Sequence, residues 1–307
     1  MRTAPFAPDS EPSRSRALAL WQVQGSSWTP RQDAVATEEP LEIRVGYERR
    51  GQRLNRSLAV TMRTPGDDDA LAAGFLLTEG IVGAAADIRS VGAEPGENGA
   101  QNAANRIRVE LADGVELDWS SLERNFYTTS SCGICGKTSL EALRARTRFP
   151  LMKSGTPAWP VAALGEMPAR LRAAQAVFER TGGLHAAGLF DASGALVEIR
   201  EDVGRHNAVD KVIGAQLLAG RMPLAGYLLQ VSGRASFELM QKALMAGIPT
   251  LAAVGAPSSL AVDLARESGA TLIGFMRDGR FNVYSGPERV GGGVPVPFSS
   301  SLSASLL

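Results

Sequence analysis

Cysteine and histidine are almost absent from this chain: each occurs twice in 307 residues. Two cysteines are too few for a disulfide framework, and two histidines leave little material for an imidazole metal centre. An excess of one charge is missing as well. Lys+Arg and Asp+Glu are both 32, so no global field draws the chain to nucleic acid or an anionic membrane. No apolar run reaches the roughly 20 residues of a membrane-spanning helix. Met1 to Arg16 mixes Pro, Ser, Asp and Arg and has no apolar core of a secretory signal. Two cysteines at Cys-x-x-Cys spacing with no further partner fit a reducing, cytoplasmic setting.

The remaining composition is that of a globular protein. Hydrophobic residues make up 44% and charged residues 21%, enough for a substantial core in one large domain or two moderate ones. Arginine greatly outnumbers lysine, which suits bidentate phosphate contacts.

Along the chain, residues 1–38 are rich in Pro, Ser, Arg and Gln and are expected to form a loosely ordered tail. A small α+β unit is expected over 39–126. It has strands at Leu41–Val45 and Ser57–Met62, then a turn at Thr64-Pro65-Gly66. A helix follows, with Asp67, Asp68 and Asp69 supplying its cap and N-terminal charge and Leu71, Phe75 and Leu76 its apolar face. Arg106–Leu111 and Val115–Leu117, joined through Ala112-Asp113-Gly114, read as a hairpin. Residues 127–160 hold both cysteines, a helix over Ser139–Arg146 and a Pro/Gly-rich linker from Phe149 to Pro160.

From 161 to 290 the pattern becomes regular. A long helix is expected over Pro168–Arg180, with Pro in its first turn and Gly182-Gly183 closing it. Strands are expected at Leu184–Phe190, Leu196–Ile199, Gly226–Val231, Thr250–Val254, Thr271–Phe275 and Phe281–Tyr284. Helices are expected at Gly204–Leu218, Ala235–Ala246 and Leu260–Ser268. A hairpin through Asp191-Ala192-Ser193-Gly194 followed by βα repeats implies a mixed sheet with helices on its faces. Residues 291–307, GGG followed by Pro and Ser, are expected to be a flexible tail.

Both cysteines, Cys132 and Cys135, fall in one Gly-flanked, Ser/Thr-rich segment, Tyr127 to Lys137. Four readings of the pair stand side by side. A zinc half-site needs two more ligands, and His185 and His206 stand at spacings that match no short zinc module. A thioredoxin-like dithiol belongs at a helix start after an early strand, which is not the setting here. Idle loop thiols are the plain alternative. A persulfide carrier uses an exposed, mobile thiolate to accept a sulfur and deliver it. A second cysteine three residues on helps release that sulfur, and Lys137 favours the thiolate.

The run TSSCGICGK resembles the cysteine loop of the FdhD family, the sulfurtransferases needed to activate formate dehydrogenase. Further blocks match in the family's order: Thr64–Val82, Thr181–Asp191, Glu201–Gly214, Ser232–Ala265 and Gly274–Ser285. The resemblance covers roughly residues 40 to 290 and is carried by long ordered blocks, not by Cys-x-x-Cys alone. It implies a carrier that takes sulfur as a persulfide from a cysteine desulfurase. That sulfur goes to the molybdenum (or tungsten) bis-pterin guanine dinucleotide cofactor of formate dehydrogenase. By the same resemblance Cys132 bears the persulfide, Cys135 assists, and the protein is a homodimer. The resemblance also implies a C-terminal three-layer αβα domain like that of cytidine deaminases. A deaminase, however, needs an H-x-E ahead of its P-C-x-x-C, and this chain has His185-Ala186-Ala187 after the cysteines.

The family's cofactor segment falls on Phe275, Met276, Arg277, Asp278, Gly279 and Arg280. In physical terms that is a strand end, a Gly turn and two guanidinium groups, suited to a nucleotide phosphate. Its plain reading is an ordinary Asp-Gly hairpin. Glu201 to Asn207 opens a helix, with Asp202 expected as its cap and Asp210 one turn after His206. Arg205 and His206 at that helix start suit phosphates, while capping and an i,i+4 pair are the plain reading. Ser232-Gly233-Arg234 stands at another strand-to-helix turn, where αβ sheets gather ligands.

Overall fold

A computed structural model describes residues 13–94, 105–115, 117, 119, 149, 151 and 159–291. The expected tail is ordered from residue 13. β1 (Ser15–Gln24) and β2 (Ser27–Ala36) pair along their whole length as an antiparallel hairpin. Ala17, Ala19, Trp21 and Val23 alternate along β1, and Gly25, at φ 61°, makes the turn. Pro30, opposite Trp21, disguises the pattern in the sequence.

A four-stranded sheet follows, in the order β4 (Gln52–Arg63), β3 (Glu39–Arg49), β6 (Arg106–Leu111), β5 (Ile88–Ala93). The predicted strands lie within β3 and β4, which extend to a left-handed turn at Arg50-Gly51. The predicted hairpin after Leu111 is not formed. β6 instead lies parallel to β3 and antiparallel to β5, and Val115 and Leu117 belong to no strand. The reason is burial. The β3–β6 register sets Ile43 beside Ile107 and Val45 beside Val109, and all four are almost fully buried in the core beneath α1 (Asp68–Thr78). Asp67 at the start of α1 makes no side-chain cap. It pairs with Arg14 and Arg200 instead, while Asp68 forks onto the fully buried Arg63 at 3.0 and 2.9 Å.

The second half builds the six-stranded sheet that the alternating pattern implies. Its order is β13 (Arg280–Ser285), β12 (Thr271–Arg277), β11 (Thr250–Ala253), β10 (Leu228–Val231), β8 (His185–Phe190), β9 (Leu196–Asp202). A short parallel bridge joins β7 (Trp159–Pro160) to β14 (Val290–Gly291) and buries Trp159. The single long helix expected over Pro168–Arg180 is two: α2 (Val161–Ala173) and α3 (Ala176–Thr181). Pro168 sits in the interior of α2 and not in its first turn, and Pro160 precedes the helix. Gly182 closes α3 in the left-handed region, as read from the sequence.

Further on, α4 (Arg205–Leu218), α5 (Phe237–Met245) and α6 (Ser259–Ser268) match the expected helices closely. They share one core with α1 and the four-stranded sheet, while Leu164, Met167 and Leu171 of α2 pack with Phe190, Leu228 and Ile273 on the other face. The sheet is therefore a middle layer between helices. Among the described residues no helix is long and apolar enough to cross a membrane.

The halves meet where α1 crosses α4. A Cβ on Gly74 would lie 1.9 Å from the Asp210 carbonyl oxygen, so backbone meets backbone there. Around this crossing lie buried charges that the sequence presents as ordinary surface residues. The Lys242 ammonium donates to Asp210 and to Thr78 at 2.9 Å, and the Thr78 hydroxyl donates to Asp210 at 2.8 Å. Lys211 and Asp202, both fully buried, pair at 2.7 Å, and Lys211 also donates to the Thr64 carbonyl at 2.8 Å. These groups join α4 and α5 to the first half through hydrogen-bonded ion pairs, and removing one partner would strand a charge.

Candidate functional site

β10, β11 and β12 are parallel, and β9, antiparallel to β8, runs with them. Their carboxyl ends share one edge, where the open sheets of αβ proteins bind ligands. His185, first residue of β8, lies at the same edge opposite Asp202. The loops at this edge are stitched by backbone bonds. Gly255 N–H donates to Gly233 at 2.9 Å, Phe275 N–H to Gly255 at 3.0 Å, and Ser232 N–H to Ala186 at 2.9 Å. A Cβ on Gly255 would lie 3.0 Å from the Gly233 carbonyl, so the close approach depends on glycine.

The segment Phe275–Arg280 has a specific shape. Gly274 pairs with Asn282 and Arg277 with Arg280, which leaves an extra residue on β12 and forms a bulge. Phe275 takes the strained left-handed conformation, φ 54°, and is 49% exposed, whereas Met276 is buried in the core against α2. Asp278 and Gly279, at φ 50° and 74°, make the two-residue turn. The plain Asp-Gly hairpin is thus present, and it also borders a cavity.

That cavity, about 700 Å³, opens between α2 and the strand ends. Its lining includes Met276, Arg277 and Asp278 from the end of β12 and the turn after it, His185 and Ser232 at the strand edge, Arg172 of α2 and Phe178 of α3. Phe275, Gly279 and Arg280 are not on its lining. The space is sufficient for a nucleotide.

The electrostatics of the edge favour an anion. Among the described residues Arg205, Arg234, Arg277 and Arg280 form no ion pair or side-chain hydrogen bond. α4, α5 and α6 all begin at this edge, adding the positive ends of their dipoles. Both histidines are shifted towards the neutral form. Burial, then the Arg205 charge, pushes His185 below its ordinary value, against the pull of Asp202. Burial, then Lys242 and Arg205, brings His206 down to about 4. The His206 Nε2 is enclosed and has no hydrogen-bond partner among the described residues.

The sequence profile of the FdhD/NarQ family matches residues 36–291. The chain belongs to that family. A sulfur carrier protein FdhD from Mycolicibacterium paratuberculosis is 56% identical over 264 residues, covering 85% of this chain and 93% of its own length. The Streptomyces avermitilis sulfur carrier protein FdhD is 53% identical over 270 residues, covering 88% and 93%. The fold also matches the crystal structure of a Desulfotalea psychrophila protein assigned as a formate dehydrogenase accessory protein. There the TM-score is 0.69 at 27% identity, covering 91% of this chain and all of that one.

Two expectations about the family block at Glu201–Gly214 are corrected. Gly204, in extended conformation, is the residue at the α4 cap position, and Asp202 serves it from two residues before, accepting the Gly204 N–H at 2.8 Å. Asp210 does not pair with His206; its partners are Thr78 and Lys242. Cys132, Cys135 and Lys137, with the helix expected over Ser139–Arg146 and most of the linker, lie outside the described residues. The sequence does not mark α2, or Gly182-Gly183 between α3 and β8, as elements of the site, yet both line the cavity. The signal present, a Gly pair just before a strand, was explained by helix capping alone.

Proposed function

We propose that this FdhD-family chain carries sulfur on Cys132 from a cysteine desulfurase to the molybdenum bis-pterin guanine dinucleotide cofactor of formate dehydrogenase. The observation that carries the nucleotide half is the cavity joining Arg277 and Asp278 to the strand edge. The names of the similar carriers, and the accessory-protein assignment of the structural match, support the sulfur half and formate dehydrogenase as the enzyme served.

The chemistry balances without an added oxidant. The Cys132 thiolate attacks the outer sulfur of the donor's Cys–S–SH, the donor S–S bond breaks, and the donor cysteine leaves as thiolate. Cys132 then holds the S–SH group. Attack by the Cys135 thiolate on the Cys132 sulfur releases HS⁻ to the cofactor and leaves a Cys132–Cys135 disulfide, which a cellular thiol reduces. The αβα layers serve nucleotide binding in this reading, not deamination, because Ala187 stands where a deaminase carries its glutamate. The family's homodimer belongs to the same proposal.

The test is mass spectrometry of the intact protein after incubation with a cysteine desulfurase and cysteine. The wild type gains one sulfur on Cys132, and Cys132→Ser gains none while staying folded. A full gain in that variant overturns the assignment. A Cys132→Ser protein that still activates formate dehydrogenase identifies a cofactor-delivery chaperone instead.

A further inference from the structure

We infer that Gln230, buried in β10 two residues before the cavity-lining Ser232, is the residue that reads the purine base of the bound nucleotide. The inference rests on the nucleotide reading above and adds the element that recognises the base. Gln230 lies in the central strand β10, has no exposed surface, and among the described residues neither its Nε2 nor its Oε1 has a hydrogen-bond partner. Its strand neighbours are Gly188 on β8 and Ala252 on β11, which offer no polar side chain. An unpaired amide in a buried sheet destabilises the fold and calls for a partner from outside it.

The geometry says where that partner enters. Leu228 belongs to the core against α2, while Leu229 and Val231 belong to the core on the other face. By strand alternation Gln230 leaves the sheet on the α2 face; Ser232, just past the strand, lines the cavity, whereas Gln230 itself is not on its lining. Two residues along a strand are about 7 Å apart. A glutamine turning about its own side-chain bonds spans much of that distance with the backbone fixed.

The chemistry selects a base over a phosphate. An amide offers donors and an acceptor side by side. A purine edge offers the complementary pair, whereas a phosphate only accepts. Arg277 on the cavity wall answers the phosphates, and Gln230 answers the base.

Calorimetry with GDP and with inorganic pyrophosphate separates the two contacts. Gln230→Leu is expected to weaken GDP at least about fivefold and leave pyrophosphate unchanged. Its free form should melt about 2–4 °C higher, because an unpaired amide has been removed. Gln230→Met, unbranched like glutamine, is the second variant and should behave alike. Arg277→Ala should weaken both ligands. Unchanged GDP affinity in a folded Gln230 variant overturns the inference and points to an amide satisfied by trapped water. If the wild type binds neither ligand, the nucleotide reading of the cavity falls first, and this inference with it.

Discussion

Replacing Gly74 by alanine tests how the two halves of the protein are held together. In most helices the change stabilises, by about 1 kcal/mol, because glycine has the poorer helix propensity. Here the new Cβ would sit 1.9 Å from the Asp210 carbonyl oxygen, and a Cβ on the facing Gly214 would sit 1.8 Å from that of Ala70. Ordinary contact begins near 3.4 Å. Both obstacles are helix backbone, so relief requires α1 and α4 to part by roughly 1.5 Å, an overpacking of the kind that costs about 1–3 kcal/mol. Parting also stretches the 2.8 Å Thr78–Asp210 bond and loosens the Asp210–Lys242 pair, and breaking such a buried pair costs about 3–5 kcal/mol. These penalties exceed the propensity gain. The expected net loss is about 3 kcal/mol, a fall in melting temperature of about 6–12 °C. Gly92→Ala in β5 is the control, since nothing lies within 4 Å of its Cβ. Thermal unfolding followed by circular dichroism reads both variants. A Gly74→Ala protein melting within about 2 °C of wild type would refute the close-crossing argument.

Other outcomes follow from the site. Arg277→Ala should weaken GDP by about tenfold, the usual loss for a charge-assisted phosphate contact, and Arg280→Ala, off the cavity lining, should weaken it less; unchanged affinity in the Arg277 variant would remove the β12–β13 turn from the site. His206, held at about 4 against an ordinary 6.5, stays neutral in the fold where the unfolded chain takes up a proton. Stability from this group is therefore full above pH 6.5 and is lost as pH falls towards 4, by about 3 kcal/mol. His206→Gln should flatten the melting temperature between pH 4 and 6.5, and an unaltered slope there would assign the acid sensitivity elsewhere.

The candidate site was half legible from the chain alone. Arg277, Asp278, Arg205 and the Ser232-Gly233-Arg234 turn stood out because glycine and arginine at strand ends are local signals. His185 joining Arg277 at one cavity was not legible, since strand order, not sequence distance, places β8 and β12 on the same edge. The amide of Gln230 was equally hidden. In a sequence it is one more polar residue, and only a fully enclosed position in β10 makes its missing partners count.

By itself the sequence determined the run of elements from β8 to β13, because buried strands are short apolar runs and each is closed by Gly, Pro or a helix cap. It also determined family membership and the pairing of the two cysteines in one segment. Tertiary structure alone decided which strands neighbour one another in the first half, where β6 chose β3 and β5 over the nearby Val115–Leu117. It alone decided that the N-terminal stretch is a hairpin, and that Lys211, Lys242 and Arg63 are core residues. The physical reason is common to these cases. A charged side chain or an alternating strand carries a requirement for a partner, but the partner lies far away in the chain, as Asp210 does from Thr78, and only folding brings it within hydrogen-bond reach.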